Sequence, residues 1–439
     1  GAIYAGSIPA ILINTPGTNA AAATSLDGYA LAKRGRSRKA LEMSLYASVI
    51  GDMIATIVLI AVTAPLAAIA IKFSSPEFTI LFLMALTLIA AVSGNSFGKG
   101  LIAAGVGALV GTIGFDPMSG AQRYIFGVPD LLNGVSLVPV LIGMFALSEV
   151  LIQAERKTVG AISAVADGPE PALTFAELKA RIRTILRSTS IGVFLGALPG
   201  LGAEIACWVA YGAAKRRSKT PDEYGKGSLE GVAAAESGNN ATVPATLIPM
   251  LVFGIPGDTV TAVMMGAFMA QGLLPGPLLF QQHGDTVYGL FGLLLITNVL
   301  LLGFGLIAIR RLRPIVRAPQ SILLPCVVVM CVAGAFSVSQ NLFDVGVLFA
   351  GGALGYAMRK TGVPIPPFVI ALLLAPRLEN ALRQSLLFTQ DGPLVFVTRP
   401  ISLTLLVLFA VALTAIVWTK FAARRRAKDR PPNGAAARA

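Results

Sequence analysis

Long apolar runs alternate with short polar stretches along this chain, and a helix needs roughly 20 apolar residues to cross a bilayer. Runs of about that length fall at 43–71, 77–95, 98–115, 135–153, 286–309, 320–338, 341–358, 364–386 and 400–420, and each predicts a transmembrane helix. Three other apolar regions are interrupted by proline and glycine. They are Ser7-Ile8-Pro9 through Asn14-Thr15-Pro16-Gly17-Thr18, Leu198-Pro199-Gly200-Leu201-Gly202 within 190–213, and Gly254-Ile255-Pro256-Gly257-Asp258 within 237–272. Proline removes a backbone donor and glycine frees φ, so these regions predict broken helices or re-entrant hairpins. Such backbone is tolerated at membrane depth only where it is buried in protein or lines a wet cavity.

Composition agrees with the pattern. Of 439 residues 55% are hydrophobic and only 13% charged, against about 25% charged in globular domains, and mean hydropathy is +0.75. The fold class is an all-α polytopic membrane protein; a disordered chain, a secreted disulfide scaffold and an ordinary soluble enzyme are excluded. Cys207, Cys326 and Cys331 lie in apolar stretches and read as small core residues. The net charge of +13 comes from clustered basic residues, 28 of the 35 falling in 33–39, 156–187, 215–226, 310–317, 359–360 and 420–430. Each cluster borders an apolar run, as expected when cytoplasmic loops retain positive charge, so the basic balance reports topology and calls for no nucleic acid. Counting spans from 33–39 as cytoplasmic brings the basic segment 154–187 back inside, and counting from the far end puts the Arg-rich tail, 359–360 and 310–317 inside and 273–285, which has no Lys or Arg, outside. Segment 215–230 is also inside only if 190–213 enters and leaves by one face.

An internal repeat sharpens the picture. Ile8-Pro9, six residues and Pro16-Gly17-Thr18 recur as Ile248-Pro249, six residues and Pro256-Gly257-Asp258, an ungapped offset of 240. The copies end on opposite sides, as inverted-topology repeats require, and such repeats put a substrate site near the midplane between broken helices. The expected division is a first repeat with its cytoplasmic linker over 1–187 and a second repeat with a basic tail over 188–439. Phe97, Gly100, Ala104 and Gly105 echo Phe343, Gly346, Ala350 and Gly351 at offset 246, a match too cheap among membrane helices to weigh. If offset 240 held upstream, the counterpart of Gly196 to Gly202 would lie about 44 residues before Gly1, so the chain reads as beginning mid-repeat.

Broken helices suit an anionic solute, because helix N-termini and free backbone amides hold anions without a buried cation. The candidate substrate contacts are Asn14, Pro16, Gly17, Thr18, Asn19, Pro199, Gly200, Asn239, Asn240, Pro256, Gly257 and Thr259. The competing account is that Pro-Gly only kinks packed helices while Asn and Thr join them. Intramembrane carboxylates are costly unless paired, protonated or wet. Asp258 leads the ion-coupling candidates, with Asp27 and Glu236 behind it, and a sodium ion near Asp258 or a proton on it are the two options. His283 reads as solvated. No phosphate-binding loop occurs, since Gly94 to Lys99 is one residue short and Gly225-Lys226 is followed by Gly227. No cofactor is called for.

Gly6 to Thr18, Leu26-Asp27-Gly28-Tyr29, Lys99-Gly100-Leu101, Gly114-Phe115-Asp116-Pro117, Gly143 to Glu149, Leu198-Pro199-Gly200, Glu236-Ser237-Gly238-Asn239-Asn240 and Thr398-Arg399-Pro400-Ile401-Ser402 together resemble the large membrane subunit of the tripartite tricarboxylate transporters, in the same order and over essentially the whole chain. The resemblance implies a non-enzymatic secondary transporter. It would import di- or tricarboxylates such as citrate across a bacterial inner membrane, coupled to a sodium or proton gradient. A periplasmic solute-binding protein would deliver the carboxylate, and a small membrane subunit would accompany this chain in the lipid. The family's N-terminal segment, with its own Leu-Pro-Gly, is absent from this sequence. A passive organic-anion channel is the alternative. An intramembrane aspartyl hydrolase is a distant third, because that chemistry needs two facing carboxylates.

Overall fold

In the computed structural model, which describes residues 1–92, 96–116, 118–155, 171–311, 320–387 and 392–428, each of the nine apolar windows becomes a helix. The chain opens with α1 (Ala2–Ala5), α2 (Ser7–Ile13) and α3 (Ala22–Lys33), then α4 (Ser37–Ala70), α5 (Ser75–Val92) and α6 (Phe97–Gly111). A small antiparallel ribbon pairs β1 (Gly114–Phe115) with β2 (Gln122–Arg123). After it come α7 (Leu137–Ile142), a π-helical turn at Gly143–Leu147, α8 (Ser148–Glu155), α9 (Phe175–Gly196), α10 (Gly202–Arg217), α11 (Leu229–Phe253) and α12 (Thr259–Ala270). The remainder is α13 (Leu279–Gln282), α14 (Gly284–Arg311), α15 (Gln320–Ser339), α16 (Leu342–Lys360), α17 (Ile365–Leu387), α18 (Val395–Thr398) and α19 (Pro400–Lys428).

Among the described residues, Ser37–Ala70, Leu137–Glu155, Gly284–Ile309, Leu342–Lys360 and Ile365–Leu387 are long and apolar enough to cross a membrane. Gly392–Thr398 with Pro400–Thr414, bent by 82°, would add a sixth. The windows at 77–95, 98–115 and 320–338 yield shorter apolar helices, Ser75–Ala91, Phe97–Gly111 and Leu324–Val338. Parts of the basic clusters, namely 156–170, 312–319 and the tail beyond 428, lie outside the described residues.

The interruption expected at Gly254 to Asp258 falls between α11 and α12. Helix α11 runs unbroken through Pro244 and Pro249 and stops only at Gly254. A proline within a helix removes one intrahelical bond, and here dense packing on every side compensates: from Gly231 to Val252 all residues but one are buried. Gly51 of α4 lies against Ser237, Gly192 and Gly196 of α9 against Gly238 and Thr242, and Ala210 of α10 against Gly238. Small residues at these crossings let backbones approach closely, the usual route to helix association in lipid.

Glu230, near the start of α11, fixes the geometry of the α9–α10 pair. It accepts from Thr184 Oγ1 at 2.6 Å and from Ser218 Oγ at 2.7 Å. One residue lies midway along α9 and the other just past α10, so Glu230 ties both arms of an antiparallel helical hairpin to the start of α11. Elsewhere α6 packs on α17 through Gly107 against Phe368, while α16 packs on the π-turn through Gly143 against Leu348. The glycines paired by the faint echo at offset 246 do not share surroundings: Gly100 lies against Ala90 but Gly346 has no neighbour within 4 Å, and Gly105 has none while Gly351 lies against Val140.

Candidate functional site

The two Pro-Gly segments have one backbone design. Helix α2 ends at Asn14 in the left-handed region (φ 56°, ψ 28°), and α11 ends at Gly254 (φ 67°, ψ 29°). Each then reverses. Thr15 N–H donates to the Pro9 carbonyl at 3.3 Å, and Ile255 N–H donates to the Pro249 carbonyl at 3.2 Å, the Schellman-type closure of a helix C-terminus. The chain next runs back along its own helix. A Cβ on Gly17 would stand 2.9 Å from Gly6 Cα, and one on Gly257 2.7 Å from Thr246 Cβ. Thr18 and Asp258 are both extended and open the next helical segment. All these pairs are 240 positions apart.

The tip of the α9–α10 hairpin meets the second segment directly. Gly200 (φ 91°) donates its N–H to the Gly257 carbonyl at 2.7 Å, and a Cβ on Gly202 (φ 51°) would lie 3.3 Å from Asp258 Cβ. Two residues further along α10, Glu204 Oε1 accepts from Asn19 Nδ2 at 3.0 Å. Three breaks therefore converge on the N-terminal end of α10, where unpaired amides favour negative charge. The two repeated segments differ in access: residues 14–17 are exposed and 254–257 buried.

Asn14, Pro16, Gly17, Thr18, Asn19, Pro199, Gly200, Pro256, Gly257, Asp258 and Thr259 all belong to this junction or border it. Thr18 Oγ1 is buried there without a hydrogen-bond partner among the described residues. Asp258 is the N-cap of α12, its Oδ1 accepting from Thr261 N–H and Thr261 Oγ1, both at 2.8 Å. Half of its carboxylate is thus committed to holding the helix, a role legible in Asp-x-x-Thr at a helix start.

Asn239, Asn240 and Glu236 sit deeper, inside α11 and behind the first break. Asn239 Nδ2 donates to the Ala20 carbonyl at 3.0 Å, and Ser48 Oγ donates to Glu236 Oε2 at 3.0 Å. Asp27 stands apart. Its Oδ1 accepts the N–H groups of Gly225, Gly227 and Ser228 at 2.8, 2.9 and 2.8 Å, and its Oδ2 the Tyr211 hydroxyl at 2.8 Å. That geometry ties the loop after α10 to α3.

Sequence reasoning passed over Arg377, an arginine within an apolar window and so a signal in itself. Its guanidinium donates to the carbonyls of Gly254 at 3.3 Å and Pro275 at 3.2 Å, fastening the end of α11. It also passed over a surface cleft of about 590 Å³ lined by Arg123, Tyr124, Glu379 and Arg383 among others. Beside it Asp116 accepts from Met118 N–H, Arg383, Ser119 and Arg123, and these bonds hold its carboxyl well below the usual carboxylate range. Among the described residues no three or more His, Cys, Asp or Glu gather as a metal cluster, and His283 is exposed.

Comparison with known proteins gives a consistent answer. The sequence model of the "Tripartite tricarboxylate transporter TctA family" matches residues 1–370. An uncharacterized 52.8 kDa protein in the TAR-I ttuC' 3'region of Agrobacterium vitis is 34% identical over 432 residues, 98% of this chain and 85% of its own length. A second uncharacterized Agrobacterium vitis protein, in the TAR-II ttuC' 3'region, is 36% identical over 215 residues, 49% of this chain and 89% of its own. No solved structure matches the chain.

Proposed function

The chain belongs to the tripartite tricarboxylate transporter TctA family, a multi-pass membrane protein and transporter subunit, and from that premise we propose that it imports a di- or tricarboxylate through the junction of the three helix breaks. The single observation that carries this reading is the duplicated reversal at Asn14–Thr18 and Gly254–Asp258, met at the second copy by the Gly200 hairpin tip. Amides left free where α10 and α12 begin, together with the neutral donors Thr18, Asn19 and Thr259, would hold the carboxylates. The halves 1–187 and 188–439 would act as inverted repeats rocking about this junction. Coupling would be to sodium or protons taken up at the half-buried carboxylate of Asp258 and the buried one of Glu236. A periplasmic binding protein and a small membrane subunit would complete the system in a bacterial inner membrane, with the C-terminus cytoplasmic.

Uptake into proteoliposomes holding the chain and its two partner subunits tests this. Citrate, succinate and tartrate should be screened with an imposed sodium or proton gradient and no ATP. Accumulation that collapses when both gradients are removed is the expected result. Uptake that merely equilibrates, gradient or not, would establish a passive channel instead.

A further inference from the structure

Glu236 is fully buried, with relative exposure of 0%, at the crossing of α3, α4 and α11. Among the described residues no lysine, arginine or histidine is paired with it, and its partners are neutral. Thr24 Oγ1 donates to Oε1, Ser48 Oγ donates to Oε2 at 3.0 Å, and Ser44 also faces the carboxylate. Desolvating an isolated carboxylate costs far more than neutral hydrogen bonds return. The group therefore needs a compensating positive charge or a proton.

The polar atoms beside the carboxylate include more acceptors than one amide can serve. The amide nitrogen of Asn240 lies within hydrogen-bonding distance of four acceptors, Asn239 Oδ1 at 2.6 Å, Ser48 Oγ at 2.8 Å, the Glu236 carbonyl at 3.1 Å and Glu236 Oε2 at 3.5 Å. An NH₂ group has two hydrogens, so at least two of these contacts lack one. Oxygen acceptors thus outnumber donors at this crossing. The Ala20 carbonyl, where the first break turns into α3, is joined to the same cluster through Asn239. On α1, which packs on α11 and α4, the Tyr4 hydroxyl is buried with no partner among the described residues.

We propose that Glu236, Thr24 and Ser48, beside the Asn240 amide, form a binding site for one monovalent cation, a dehydrated sodium ion or a proton on the carboxylate. One carboxylate among neutral oxygens balances a single positive charge, whereas calcium or magnesium takes six or more oxygen ligands, usually with several carboxylates or waters. The ionisable side chains facing Glu236 from the elements around it are Tyr4 of α1 and Cys207 of α10. Asp27, further along α3, is committed to the 225–228 loop. Occupancy would change the charge at the root of the first break. The site deepens the coupling reading and rests on it for its physiological use, but its existence is testable without substrate or partners.

The test is thermal unfolding of the full chain in lipid nanodiscs, titrated with sodium chloride against choline chloride at pH 8, and separately titrated from pH 9 to pH 5 in choline alone. A sodium site raises the wild-type Tm in the first series, and a proton site in the second. Ser48→Ala keeps the carboxylate but removes one oxygen, and should move the midpoint of whichever response occurs by roughly five- to tenfold in ion concentration, the equivalent of one neutral contact. Glu236→Gln should abolish the response. If Glu236→Gln does not fold, Thr24→Val joins Ser48→Ala in deciding the matter. A wild type indifferent to both ions, or midpoints unmoved in the Ser48 and Thr24 variants, overturns the site while leaving carboxylate import untouched. Failure of substrate uptake with the ion response intact would do the reverse.

Discussion

Asn14 and Gly254, 240 positions apart, hold the same left-handed backbone and close their helices onto Pro9 and Pro249 through the same hydrogen bond. Different side chains meet one conformational demand, and their surroundings set what each tolerates. Asn14→Gly should be neutral or slightly stabilising, and Asn14→Val should cost about 1–2 kcal/mol, because a β-branched residue resists this region. Gly254→Ala should cost more, since its Cβ would stand 2.6 Å from the Pro275 carbonyl and against Arg377. Thermal unfolding of the three variants checks the order.

Asp258→Asn separates helix capping from ion coupling. Asparagine caps a helix about as well as aspartate, so α12 should survive and Tm should move by less than about 1 kcal/mol in equivalent stability. A coupling role then predicts lost accumulation with counterflow exchange retained. Wild-type accumulation in this variant would remove the carboxylate from coupling.

Asp27→Ala should behave as a structural lesion. It strips the acceptor from three backbone N–H groups and one hydroxyl, a loss of about 2–3 kcal/mol or more where these donors are left buried. Limited proteolysis should cut within 218–228 faster than in wild type. An unchanged cleavage pattern would return Asp27 to the ion-coupling candidates.

Outside the membrane, Glu177 gives a pH signature. The Lys39 ammonium at 2.6 Å, then the Thr174 amide, hold its carboxyl down at about 2 from an ordinary 4.5. A depressed pKa contributes stability that is complete above 4.5 and fades as pH falls toward 2. Wild-type Tm should therefore drop more steeply than that of Glu177→Gln between about pH 5 and pH 2. Parallel profiles would show that the pair contributes nothing there.

Topology is accessible to labelling. With exposed Cys326 replaced by serine, a cysteine at Arg36 should be shielded from an impermeant thiol reagent applied to the periplasmic face, and one at Gln282 should react. Reaction of both from one side would contradict the charge-derived orientation.

Much of the helical scaffold was legible because lipid allows little besides helices and their breaks. The repeat at Pro9 and Pro249 announced its shared turn, whereas the capping box of Thr174 and Glu177 that starts α9 went unread although its spacing is written in the sequence. The break at Gly254 to Asp258 was legible too; that Pro244 and Pro249 leave α11 continuous was not, because composition cannot say whether neighbours will shelter a proline, as α4, α9 and α10 do here. The separation of Asn239, Asn240 and Glu236 from the junction was illegible for a related reason. Which side of a wholly buried helix faces a cavity depends on partners far away in sequence, such as Ser48 and Ala20. Arg377 was overlooked because its ligands are carbonyls, which leave no trace in a search for opposite charges.

The bond from Gly200 to the Gly257 carbonyl joins the tip of the α9–α10 hairpin to the chain folded back after α11. Insulation between two aqueous phases is thinnest where such tips touch, and a membrane voltage falls most steeply across the thinnest insulator. If water reaches both sides of the tips, most of the potential drops over a few ångströms there. A charged solute stepping past Gly200 and Gly257 would then collect nearly the full electrical work, about 2.3 kcal/mol per charge for each 100 mV. Electrogenicity would be decided at that single peptide contact rather than along the whole thickness of the bilayer.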